Sequence, residues 1–238
     1  MINPKLNTRG SEWRIWDIHA HTPASHGYGG TYDEFIKNAK KSPAKVIGIN
    51  DYCTLEGYEE IMRLGGVPGK VLFSVIEFRM HNIMANRKNA DPTKAGVCIN
   101  FHVIFDNDPA VFSRIQTWRN SLECYDKRGK TIQLGTATDL PKLTFDFETV
   151  IVSLRKYDLL NEHALIWLPY DEYGGIDDIH PEDNFFKLAL INKAHIMGSG
   201  SENQINFFKW KDPKHPAEKC REWFDNPIVF TLATSPSY

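Results

Sequence analysis

The chain has 238 residues, 42% hydrophobic and 24% charged, a balance that excludes a disordered or fibrous protein and suffices to bury a sizeable core. Lysine and arginine number 28 against 30 acidic residues, for a net charge of -2, so no overall field draws the protein to nucleic acid or to an anionic membrane. About 18 consecutive apolar residues, the least a membrane helix needs, occur nowhere in it.

The opening MINPKLNTRGSEW lacks the apolar core of a secretory signal, and the expected location is the cytoplasm. Cys53, Cys98, Cys124 and Cys220 are widely spaced with no C-x-x-C pair, which argues for free thiols rather than a zinc ribbon or disulfide framework. A single domain over residues 1–238 is expected.

Short β-branched and aromatic runs alternate with amphipathic stretches, the pattern of β-α units. Strands are predicted over Arg14–Ala20, Lys45–Asn50, Val71–Phe78, Val97–Phe105, Ala164–Leu168, His195–Gly198 and Ile228–Thr231. Helices are predicted over Thr31–Lys41, Gly57–Leu64, Pro109–Leu122, Phe145–Leu159, Pro181–Lys193 and Glu218–Phe224. Between Leu122 and Thr144 a polar excursion, a hairpin or a lid, interrupts the alternation. Seven strands with helical connections fit an open doubly wound sheet or a β/α barrel. The collection of polar residues at strand ends favours the barrel, whose sites form there.

In Trp16-Asp17-Ile18-His19-Ala20-His21-Thr22, His19 and His21 are two residues apart at the end of the first strand, so both imidazoles aim to one side. Asp51 closes the second strand in VIGIND, where the competing reading is a turn or cap residue. Glu77 shares a face with Val71, Phe73 and Val75, and a carboxylate on a buried face must be paired, hydrogen-bonded or metal-bound; Arg79 is its alternative partner. His102 shares a face with Asn100 on the fourth strand. Imidazole and carboxylate donors converging from four strands are ligand chemistry for Mn, Zn or Fe. His163 and His195 open their strands, at the wrong end of a barrel. His26 and His81 are solvated or reach the mouth as substrate contacts, and His180 and His215 read as surface residues. Arg79, Arg87, Lys88, Lys127, Arg128 and Lys130 are candidates for a nucleic-acid path, or simply a solvated surface.

These residues resemble the PHP superfamily of polymerase-associated and histidinol-phosphatase proteins. Asp17, His19, His21 and Thr22 match its D-x-H-x-H-T pattern, Asp51, Gly57 and Tyr58 match its second motif, and Glu77 and His102 match its third- and fourth-strand ligands. The segments WDIHAHTPASHGYGG, ALIWLPYDEYGG and NFFKLALINKAHIMGSGSENQINFF are similar to the amino-terminal domain of PHP-associated proteins that carry an AAA- or SMC-like ATPase. No Gly-x-x-x-x-Gly-Lys-Ser/Thr phosphate loop occurs here, so that ATPase would be a partner or a fused domain outside this sequence.

The resemblance implies a distorted seven-stranded β/α (TIM-like) barrel, one to three divalent transition metal ions (Mn, Zn or Fe), and hydrolysis of a phosphoester substrate that includes nucleic acid as a candidate. It implies His19, His21 and Glu77 on one ion, Glu77 bridging to a second ion held by His102, and Asp51 as ligand or base. Tyr52 stands where the family has histidine, Leu168-Pro169-Tyr170-Asp171 where it has a histidine-proline pair, and no Asp-x-His follows the last strand. The alternatives are a degenerate domain kept for binding or regulation, and an amidohydrolase-like enzyme, for which the later-strand histidine pair and final aspartate are missing.

Overall fold

The computed structural model of the chain describes residues 14–81, 99–171, 174–179, 184–214, 220 and 229–232. Nine strands and six helices are assigned among them: β1 (Trp16–Ala20), α1 (Tyr32–Lys41), β2 (Val46–Tyr52), α2 (Glu56–Arg63), β3 (Val71–Arg79), β4 (Asn100–Phe105), α3 (Pro109–Ser121), β5 (Glu123–Tyr125), β6 (Thr131–Gln133), α4 (Phe147–Lys156), β7 (Ala164–Pro169), α5 (Asn184–Ile191), β8 (Ile196–Ser199), α6 (Glu202–Phe208) and β9 (Val229–Leu232). The helix predicted over Glu218–Phe224 lies outside the described residues except at Cys220, as do His180, His215, Arg87 and Lys88.

Helix starts follow local chemistry. Thr31 and Glu34 close a reciprocal capping box on α1, Asp108 caps α3 ahead of Pro109, and Asp146 accepts the Thr149 N–H of α4. Each satisfies N–H groups that the first turn leaves without a partner.

The main sheet has seven strands in the order β1-β2-β3-β4-β7-β8-β9, and β5 and β6 pair as a separate hairpin. The closed TIM-like barrel expected from the sequence is therefore corrected. Among the described residues no pairing joins the edge strands β1 and β9, and β4 runs antiparallel to both β3 and β7 while the other neighbours are parallel. The result is an open, mixed sheet curled as a half-barrel. Alternating elements specify β-α units one by one; closure needs a seam of hydrogen bonds between chain-distant strands, and that seam is set by tertiary geometry.

Among the described residues, the helices contribute to the cores on one sheet face only. Phe35 and Ala39 of α1 and Ile61 of α2 pack with Ile47 and Ile49; Val111, Ile115 and Trp118 of α3 and Val150 and Leu154 of α4 pack with Ile76, Phe78, Phe101 and Val103. The opposite face carries a small apolar cluster of Ile18, Val75, Ile104 and Trp167, all from strands. It borders a cavity of about 260 Å³ lined by Trp16, Ile18, Phe73, Ile104, Leu165 and Ile196. The polar residues at the other end of this face form the candidate site. The hairpin of β5 and β6 leans on the end of β3, through bridges Tyr125–Thr144 and Met80–Phe145. No helix among the described residues is long and apolar enough to cross a membrane.

Candidate metal centre

The register of β1 explains how its histidines arrive. Asp17 pairs with Ile47 and Ala20 with Ile49, so β1 holds one residue more than β2 over this interval, a β-bulge. Ala20 faces the helix-covered core, whereas Ile18 joins the small cluster on the other face. His19 and His21, flanking Ala20, both reach Glu77 there.

Glu77 lies across β2 from Tyr52 and across β4 from His102. It is 1% exposed, and its carboxylate is met from three directions. The Asn50 and Asn100 amides donate to Oε2 and Oε1 at 3.0 and 2.8 Å, and the Nε2 atoms of His19 and His21 each lie 3.5 Å from Oε2. One ligand atom from each of His19, His21 and Glu77 falls within 4.8 Å of the others, a group that could hold a metal ion. Ligands about 2.1 Å from a tetrahedral ion stand roughly 3.4 Å apart, close to the two histidine–carboxylate separations.

His102 adds a second sign of ligand chemistry. It is 1% exposed, its Nδ1 is 3.1 Å from Asn50 Oδ1, and its buried Nε2 has no hydrogen-bond partner among the described residues. Because the Asn50 amide nitrogen donates to Glu77, its oxygen must accept from His102 Nδ1–H, which leaves Nε2 a bare lone pair. The ring packs on Trp167 at 4.1 Å and against His19 at 5.1 Å. An unanswered lone pair in the interior is costly unless something electrophilic comes to it. The donor set thus fits a metal ion, with His102 beside the group of three rather than within it.

Electrostatics divide along the same lines. Burial by itself would raise the Glu77 carboxyl, but His102, His19 and His21 outweigh it and hold the group down to about 2. His102 moves the other way from protonation: burial keeps it neutral well below the ordinary histidine range, against the pull of Glu77. These two effects conflict if His102 is taken as the cation that steadies Glu77. A neutral ring offers only a dipole, so the Asn50 and Asn100 amides carry more of the anion, and Glu77 is ionised. His21 is also lowered, first by burial.

Asp51, expected as ligand or base, accepts Thr22 N–H at 3.0 Å and Ser25 O–H at 2.5 Å on one oxygen, and Thr22 O–H at 2.7 Å on the other. It lies outside the group of three and ties down the turn Thr22-Pro23-Ala24-Ser25, where Ser25 N–H closes on the Thr22 carbonyl. Gly57 matches this arrangement: a Cβ there would stand 2.0 Å from Asp51 Oδ2 and 2.1 Å from Thr22 Oγ1. Burial raises the Asp51 carboxyl, offset in part by its Ser25 and Thr22 donors.

The β4 direction changes the meaning of His102. It was expected late in its strand, yet it is the third residue of β4; because β4 runs backwards, the strand's first half meets the carboxyl ends of β2 and β3. Tyr52 stacks on His21 at 5.2 Å, and the Arg79 guanidinium lies over Tyr52 and donates to the Pro141 carbonyl. His81 stacks on Tyr125 with Nδ1 2.8 Å from Thr144 Oγ1, and His26 is exposed. His163 sits 3.5 Å from Asp106 at the far end of the sheet, and His195 accepts the Ile166 N–H. Lys127, Arg128 and Lys130 lie at the exposed β5–β6 turn, where Asp126 accepts the Arg128 and Lys130 N–H groups.

Sequence reasoning missed Ser25, Asn50 and Trp167. Asn50 was detectable: it lies two residues from both Gly48 and Tyr52, on the Glu77 face of the sheet. No family model matches the chain, and no curated protein matches it.

Proposed function

We propose that the chain is a metal-dependent phosphoesterase of PHP-like type, acting on phosphoesters with nucleic acid among the candidate substrates. The observation that carries the reading is the convergence of His19, His21 and Glu77, with ligand atoms within 4.8 Å, beside the unpartnered Nε2 of His102. These residues would hold Mn, Zn or Fe; a bound ion supplies a Lewis acid for a phosphoryl oxygen and an acidified water. Asn50 and Asn100 keep Glu77 in place and ionised. His102 presents a neutral lone pair, fixed by the Asn50 side-chain amide oxygen. Trp167 packs on His102 and His19 and shields that side from water. The ATPase association implied by the sequence resemblance makes an ATPase the proposed partner.

A second reading, a domain kept for binding or regulation, draws on Tyr52: its ring stacks on His21 where the resemblance calls for another histidine. Turnover separates the two. With Mn supplied, the chain is expected to hydrolyse bis-p-nitrophenyl phosphate slowly, since each missing charge-stabilising contact costs on the order of a hundredfold in rate. The His19→Ala, His21→Ala double variant should be inactive. Metal uptake without turnover on this ester, DNA or RNA would favour the binding module, and a protein that takes up no Mn or Zn would sink both.

A further inference from the structure

The second ring nitrogen of His21 has a defined partner. Its Nδ1 lies 3.0 Å from Ser25 Oγ, and Ser25 Oγ lies 2.5 Å from Asp51 Oδ1. Ser25, in the turn after His21, and Asp51, in β2, are buried at 6% and 1% exposure, and Thr22, also buried, donates to both Asp51 oxygens. Ala24 N–H donates to Thr22 Oγ1, so the Thr22 hydroxyl keeps its proton for Asp51.

The direction of each bond follows from proton counting. A serine hydroxyl has one proton and spare lone pairs, and a carboxylate only accepts. At 2.5 Å from Asp51 the Ser25 proton must lie on the Asp51 side, because two facing lone pairs would repel. Ser25 then has only a lone pair for His21, so Nδ1 must carry the hydrogen. A neutral imidazole has one N–H. His21 Nε2, 3.5 Å from Glu77 and one of the atoms that could hold an ion, is therefore left as a bare lone pair.

We propose that Ser25 is a positioning residue: through it, Asp51 locks His21 in the Nδ1–H tautomer that can ligate a metal. The affinity consequence rests on the metal reading above, whereas the tautomer itself does not. Asp51 thereby acts at one remove, as an orienting carboxylate, in the way outer partners fix metal-bound histidines in general. His102 is held in the same tautomer by a different group, the Asn50 side-chain amide oxygen, so removal of Ser25 should affect one imidazole and leave the other unchanged.

The test uses the whole chain with ¹⁵N-labelled histidine. Long-range ¹H–¹⁵N spectra of metal-free protein should show His21 with a protonated Nδ1 and a bare Nε2. Ser25→Ala should move His21 toward the other tautomer while the His102 signals stay, and Ser25→Thr, which keeps the hydroxyl, should restore the first. Co(II) titration followed by its visible bands should show Ser25→Ala weakened by roughly tenfold to a hundredfold, the usual cost of losing an outer partner, and Ser25→Thr recovered. A wild-type His21 bearing its hydrogen on Nε2, or a Ser25→Ala protein with unchanged tautomer and unchanged Co(II) affinity, overturns the proposal. Wild-type protein that takes up no Co(II) counts against the metal reading alone, because the metal-free spectra still decide the tautomer. Should Ser25→Ala fail to fold, the metal-free wild-type spectra still decide: a His21 with a protonated Nδ1 is the expected result, and one with its hydrogen on Nε2 overturns the proposal.

Discussion

Glu77 is held by two amide donors and faced by two imidazole nitrogens, and its replacement by glutamine separates charge from shape. The amide would have to turn its NH₂ toward one of Asn50 or Asn100, both donors, so one buried donor loses its acceptor at a cost of about 1–3 kcal/mol. Glu77→Gln should therefore lower the melting temperature modestly, keep a native circular dichroism spectrum, and bind no Mn or Zn by elemental analysis. Retained metal would reduce Glu77 to an internal hydrogen-bond acceptor. Its importance was legible because a carboxylate in step with Val71, Phe73 and Val75 demands a partner. Asn50, Asn100 and Ser25 were harder to read, since amides and hydroxyls occur throughout strands and turns and only their three-dimensional neighbours give them direction.

At the scale of elements, β1 is the piece on which the site depends, and Gly48 of β2 allows it to lie where it does. A Cβ at Gly48 would stand 2.8 Å from both Cα and carbonyl oxygen of Ile18, and 2.9 Å from Val75 Cγ2. The Ile18 atoms are backbone and cannot swing aside. Gly48→Ala should push β1 outward at its bulge, destabilising the protein by about 1–3 kcal/mol and, because His19 follows Ile18 directly, weakening Co(II) binding as well. A stability loss with unchanged affinity would show that the bulge does not place His19. Most strands and helices were readable from periodicity and caps, and the polar excursion proved to be a hairpin. The reversed course of β4 was not readable, because period-two alternation is the same in either direction.

For the molecule as a whole, an ion bound only by the folded chain stabilises it by mass action. At a free concentration a hundred times its dissociation constant the gain is about 2.7 kcal/mol, or roughly 5–11 °C in melting temperature for a chain of this size. Calorimetry with Mn or Zn and then with a chelator should show that difference in the wild type and none in the His19→Ala, His21→Ala variant. A chelator-insensitive melting temperature would show that the cluster holds no ion in the native state.

The sequence by itself determined the local facts: which segments alternate, where helices are capped, that His19 and His21 share a side, and that Glu77 on a buried face requires a partner. Each depends on residues a few positions apart, where backbone geometry is fixed. Only the tertiary structure decided that the sheet stays open and mixed, that Asp51 turns toward Thr22 and Ser25, and that Asn50 and Asn100 come to hold Glu77. Those contacts join residues 23 to 29 positions apart. Their distances and hydrogen-bond directions depend on which strands lie side by side and which way each runs, a choice made by packing the helices on one sheet face rather than by any local pattern.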